Sequence, residues 1–164
     1  YAGVTDRASH AYGNRHTPRT SVMYKQGGTA YVYLCYGIHY MFNIVTNRCH
    51  IPEAVLIRGA APLDLSPATL ARFNTSHPQP RLGRGPGNVA KMLGFHTKHS
   101  GMDLTSSEAC IVSDGYEVPL LACSPRIGVH YAGSHARWLY RFFLPGHPQV
   151  TLHPFNKEAL LLRQ

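Results

Sequence analysis

Acidic side chains are scarce in this 164-residue chain: eight Asp and Glu stand against sixteen Lys and Arg, a formal net charge of +8. Such an excess draws polyanions, either nucleic acid or an anionic membrane surface. No stretch approaches the roughly 20 apolar residues needed to span a bilayer, and no charged segment leads into an apolar run as a secretion signal would, so the membrane reading is set aside. Paired cysteines are also lacking. Cys35, Cys49, Cys110 and Cys123 form no C-x-x-C pair, which argues against a zinc site or a disulfide framework and for a reducing compartment. Eleven histidines run from His10 to His153 without the i, i+4 spacing of a helical ligand pair, so no metal is called for. Charged residues make up 15% and hydrophobic ones 44%, a balance that suits one compact domain over residues 1–164. With 15 glycines and 12 prolines, short strands and turns are expected rather than an all-helical bundle. The first residue is Tyr1 rather than Met, so the chain reads as a fragment.

What is present begins with a polar stretch. Residues 1–28 hold Gly, Thr, Pro, Asn and Arg without an apolar period and read as an ordered loop region outside the core. From Thr29 the composition changes to TAYVYLCYGIHYMFNIVT, two β strands joined by a tight turn near Tyr36-Gly37. The segment from Glu53 to Ala60 has the continuous apolar centre of a buried strand, ending at Arg58. Ser66-Pro67 is a helix start, and Thr75 to Arg84 is a loop. Gly85-Pro86-Gly87 opens a short helix closed by Gly94, with an N-terminus able to meet a phosphate. Strand-like pieces follow at Ala109–Val112 and Arg137–Leu144, with turns at Asp114-Gly115 and Pro145-Gly146. The class is mixed α/β (α+β).

Two constellations bear on function. Period-2 numbering puts Tyr31 and Tyr33 on one face and Tyr36 and Tyr40 on the other, so the tyrosines cannot share one core. They are either good strand formers or a stacking face with a wedge at the hairpin tip. The loop Arg15-His16-Thr17-Pro18-Arg19-Thr20-Ser21 is basic and hydroxyl-rich, and is either a solvated turn or a set of phosphate contacts.

The order Tyr1, His10, RHTPRTSVMY at 15–24, GTAYVYLCYGIHYMFNI at 28–44 and VLIRGAAPL at 55–63 closely resembles the alkyladenine (methylpurine, 3-methyladenine) DNA glycosylase family. GPGNVAKMLG at 85–94, SPRIGV at 124–129 and AGSHARWLYRFFLPGHPQVT at 132–151 continue the match over nearly the whole chain. The resemblance implies one domain with a curved antiparallel sheet and surrounding helices, like that of formyltransferase C-terminal domains. It implies no cofactor, and as partner double-stranded DNA containing damaged purines, bound by a monomer without membrane association. An intracellular location follows, in the cytoplasm and nucleoid of a bacterium or the nucleus of a eukaryote. By the same resemblance Tyr36 is the intercalating residue and Ile38 its apolar companion; Thr17 and Arg19, in the basic loop, are the candidates for phosphate contacts. Tyr1, His10 and Tyr33 wall the pocket for the flipped base, Asn43 rejects guanine, and Arg58 positions water and phosphate.

The implied reaction hydrolyses the N-glycosidic bond with a glutamate activating water. That glutamate lies two residues before the tyrosine matching Tyr1, so the chain is expected to lack it together with N-terminal strands, and to be inactive as it stands. Asp6, Glu53, Asp64, Asp103, Glu108, Asp114, Glu117 and Glu158 are the acids present, and none matches the catalytic position. Asp6 is expected on a loop surface. The sequence departs from the family at Asn88, where lysine is common, and at His135, where glutamate is common, which puts a structural hydrogen bond in doubt; Trp138 also follows later than usual. The alternatives are a non-catalytic lesion-recognition module and, through the formyltransferase likeness, an RNA-contacting module. The set His10, Tyr33, Asn43 and Arg58 speaks against the second.

Overall fold

The computed structural model describes residues 1–63, 65–79 and 81–162; Asp64, and Pro80 in the loop expected from Thr75 to Arg84, lie outside it. Strands β1 (Ala30–Cys35) and β2 (His39–Val45) form the expected hairpin, and β3 (Ala54–Leu56) joins β2 to give the antiparallel order β1-β2-β3. A second antiparallel sheet has the order β5-β4-β6, from β4 (Leu121–Ser124), β5 (Arg141–Phe143) and β6 (Leu160–Leu162). Among the described residues the helices α1 (Pro67–Arg72) and α2 (Pro86–Leu93) complete an α+β arrangement whose antiparallel pairing is divided between two small sheets. Among the described residues no helix is long and apolar enough to cross a membrane.

The period of two decides what β1 touches. Ala30 and Val32 pack with Phe42, Ala90 of α2 and Leu104, where Phe42 stacks on Phe95 at 4.0 Å. Tyr31, on the opposite face, packs with Ala11, Met23, Tyr24, Val45 and Ala54. Ser66 caps α1 by accepting the Thr69 amide at 3.2 Å, and α2 ends on Gly94 in the left-handed conformation, as their sequences imply. At Asp114-Gly115 the Asp114 carboxylate accepts the Tyr116 amide at 2.9 Å, which makes the expected turn.

Four local expectations are corrected. Residues 1–28 are not outside the core: Ala11, Met23 and Tyr24 belong to it, carried on 3₁₀ turns too short to leave a periodic pattern. The segment from Glu53 to Ala60 holds a three-residue edge strand with Val55 half exposed, because only β2 pairs with it and its other side opens to a cleft. Ala109–Val112 makes one bridge, Thr105 to Cys110, and Ile111 and Val112 lie exposed without a sheet neighbour. Within Arg137–Leu144 only Arg141–Phe143 is strand, since 3₁₀ structure runs up to Arg137 around Gly133.

Candidate functional site

Strand β1, strand β2 and the N-terminal loop converge on one small cavity of about 30 Å³, lined by Tyr1, His10, Tyr31, Tyr33 and Asn43 among others. Four residues singled out in the sequence are thus brought together from three separate segments. His10 sets its ring edge-on to Tyr33, with centroids 4.7 Å apart, and its Nδ1 lies 2.8 Å from the Tyr31 hydroxyl. Burial, reinforced by Arg19 and Arg15, pulls the His10 pKa down to about 4, so the ring is neutral at physiological pH. Arg19 brings Nη2 to 3.4 Å from His10 Nε2, which assigns Nε2 as acceptor and Nδ1–H as donor to Tyr31. Asn43 is buried and its amide nitrogen donates to the carbonyls of Tyr31 at 3.1 Å and Met41 at 3.2 Å, which fixes the side chain across the hairpin.

Tyr1, together with Ala54, lines both this cavity and a larger cleft of about 810 Å³ that opens between β3 and the second sheet. Arg58 belongs to the cleft rather than to the aromatic cavity. Its backbone is held by the turn before α2: Gly85 N–H donates to Arg58 O at 2.9 Å, and Ala60 N–H to Gly83 O at 2.9 Å. The approach is so close that a Cβ on Gly83, whose φ is +70°, would meet Ala60 O at 1.8 Å. Arg58 Nε is buried without a hydrogen-bond partner among the described residues, and burial draws the guanidinium below its ordinary pKa while the Tyr1 and Tyr33 phenols offset part of the shift. A buried donor left unpaired costs about 1–3 kcal/mol, so the group is poised for an acceptor.

Tyr36 and Ile38 stand away from the cavity at the tip of the β1–β2 hairpin, 91% and 71% exposed. Tyr36 holds φ at +50°, a region disfavoured for a bulky side chain, and Gly37 follows at +74°. Thr17 is committed to its own loop, its N–H donating to Thr20 Oγ1 at 2.8 Å, while Arg19 is exposed at the rim with Cζ 4.8 Å from the Tyr33 centroid.

Sequence reasoning placed Asp6 on a loop surface, and the structure corrects this. Asp6 is fully buried and accepts both guanidinium nitrogens of Arg126 as well as the amides of Ala8 at 2.9 Å and Ala2 at 3.2 Å. Arg126 in turn stacks over the Tyr1 ring at 5.1 Å and donates to His135 O at 2.9 Å. The pair is 120 residues apart, and no local pattern could have joined it. Tyr31, the His10 partner, was legible as a face-mate of Tyr33. At the departing position His135, Nδ1 accepts the Arg7 amide at 3.2 Å and the ring stacks on Trp138 at 4.0 Å, so a hydrogen bond is kept there. Asn88 turns its amide to Arg84 O at 2.9 Å.

The sequence profile of the methylpurine-DNA glycosylase family matches residues 1–148. A Clostridium novyi (strain NT) protein provisionally named 3-methyladenine DNA glycosylase is 38% identical over 158 residues, covering 92% of this chain and 78% of the relative. Relatives with the same provisional name in Bacillus cereus (strain G9842) and Bacillus anthracis (strain CDC 684) are 37% and 36% identical over 164 residues, with the same coverage.

Proposed function

Since the chain belongs to the methylpurine-DNA glycosylase family, we propose that it binds duplex DNA, flips a damaged purine into the aromatic cavity and serves hydrolysis of its N-glycosidic bond. The observation that carries this reading is the convergence of Tyr1, His10, Tyr33 and Asn43 on one cavity. Electron-rich rings favour a cationic alkylated purine over a neutral one. The neutral His10 ring, with Nδ1–H committed to Tyr31, presents Nε2 toward the rim as an acceptor once Arg19 moves away. Tyr36 is the wedge that fills the hole left in the stack, and the strained φ at an exposed tip fits a residue kept for function rather than folding. Arg58 offers its unpaired Nε–H to a phosphate or to the attacking water in the cleft beside Tyr1.

This reading gives the water-activating role to neither Asp6 nor Glu53. Asp6 is saturated by Arg126 and two amides, and Glu53, at the cleft wall, accepts the Asn47 amide at 2.9 Å. The resemblance places the base two positions ahead of the tyrosine matching Tyr1. Residues 1–164 should therefore prefer an inosine-containing duplex over an undamaged one yet release hypoxanthine slowly in single turnover. A form given a glutamate two positions ahead of Tyr1 should release it about 10²–10⁴ times faster. Fast release by residues 1–164 that Glu53→Gln abolishes would overturn the base assignment, and slow release by the extended form would favour a lesion reader over an enzyme.

A further inference from the structure

The aromatic cavity, at about 30 Å³, has room for roughly one water and none for a purine. Something must leave before a base can enter. Three aromatic and polar walls are held in place: Tyr31 is buried and bonded to His10, Asn43 is tied to two carbonyls, and Tyr1 lies under the Asp6-bound Arg126. Arg19 is different. Its guanidinium covers the Tyr33 ring at 4.8 Å and reaches His10 Nε2 at 3.4 Å, yet the residue is exposed, and among the described residues it has no carboxylate partner. A planar cation therefore lies on the aromatic face where a flipped cationic purine would stack.

The loop beneath it is stiff. Thr20 Oγ1 donates to Arg15 O at 2.9 Å, Ser21 N–H to Thr17 O at 2.9 Å and Ser21 Oγ to Pro18 O at 2.9 Å, so the Arg19 side chain can swing without its backbone. A DNA phosphate would hold it outward more strongly than a neutral imidazole holds it inward, because a charge-assisted bidentate pair is stronger than a 3.4 Å contact to a neutral ring. We propose that Arg19 is the latch of the base pocket: its guanidinium fills the seat of the flipped purine in the free protein and leaves for a backbone phosphate when DNA binds. This rests on the base-flipping reading of the cavity, and it gives Arg19 a gating part beyond affinity, since any base meets a closed pocket until the phosphate contact forms.

The test compares the wild-type chain with Arg19→Gln, and with Arg15→Gln as a phosphate-loop control that makes neither the Tyr33 nor the His10 contact. On a duplex carrying 2-aminopurine, whose fluorescence rises on unstacking, Arg19→Gln should shift the flipping equilibrium about 3- to 30-fold toward the extruded base. The salt slope of binding should fall by about one. Arg15→Gln should weaken binding without the fluorescence gain. Weaker binding with unchanged fluorescence in Arg19→Gln would reduce the residue to a phosphate contact and overturn the latch. A DNA-free arm follows the His10 resonance while 1-methyladenosine, a cationic purine nucleoside without the 2-amino group that Asn43 is read to reject, is added: binding about 3- to 30-fold tighter to Arg19→Gln supports the latch, and equal binding overturns it. Absence of lesion preference in every form would sink the base-flipping reading itself, and the nucleoside arm would still decide the latch.

Discussion

Asp6 and Arg126 take opposite charges out of water beneath Tyr1, and their worth lies in what happens when one is removed. Burial pushes the Asp6 carboxyl up, but the Arg126 guanidinium and the Ala8 and Ala2 amides outweigh it and hold the group below the ordinary carboxylate value. Arg126→Met leaves that carboxylate buried without a counter-ion and should lower stability by about 3–5 kcal/mol in urea denaturation. Asp6→Asn in the Arg126→Met background should recover part of the loss, a positive coupling in the double-mutant cycle. Additive losses would mean that the two side chains act independently. The pair also ties the loop carrying Tyr1 and His10 to the end of β4, so these losses should be accompanied by faster amide exchange at Ala2 and Ala8.

At the scale of elements, the β1–β2 hairpin divides its side chains between the cavity and solvent. Its inner end supplies Tyr31, Tyr33 and Asn43 to the cavity, and its tip supplies Tyr36 to solvent. Replacing Tyr36 by glycine relieves the positive φ and removes only exposed surface, so stability should stay within about 1 kcal/mol. Binding to lesion-containing duplex should nevertheless weaken by on the order of tenfold or more, the loss of one stacking contact. Fluorescence anisotropy against the same duplex checks it, and unchanged affinity would remove Tyr36 from the role of wedge. The short turn at Gly83–Gly85 plays the matching part for Arg58, because its backbone closes on 58–60 and fixes where the guanidinium begins.

Over the whole molecule, charge and protonation act together. A net charge of +8 favours polyanion binding. His10 has its pKa lowered from 6.5 to about 4, so its neutral form contributes stability fully above the unfolded value of 6.5, and that contribution is lost as pH falls toward 4. Asp6, also lowered, contributes above its unfolded value of 3.8 and loses this as pH falls through its lower folded value. Urea midpoints should therefore decline from pH 6.5 downward and continue to decline below 4. In His10→Gln the slope between 6.5 and 4 should flatten while the lower limb persists; an unchanged profile would mean that another group dominates.

Strand periodicity, the Ser66-Pro67 and Gly85-Pro86 helix starts and the Gly94 cap were readable because each depends on neighbours within a few positions. The same local logic put Tyr31 beside Tyr33 and Tyr36 at a turn, and so made much of the site legible before any coordinates. The fold of residues 1–28 was not legible, since 3₁₀ turns repeat too briefly to leave a pattern. Strand partners were not legible either: Val55 has the residue type for burial but lies at an edge, and Ile111 and Val112 have it without any sheet to join. The sequence by itself determined which side chains the hairpin sends to each face, because alternation is a property of one strand. Only the tertiary structure decided that Asp6 meets Arg126, that Arg58 lies in a cleft sharing Tyr1 with the cavity, and that Arg19 covers Tyr33. Those contacts join segments far apart in the chain, and their energies depend on the burial and distance that closure of the fold creates.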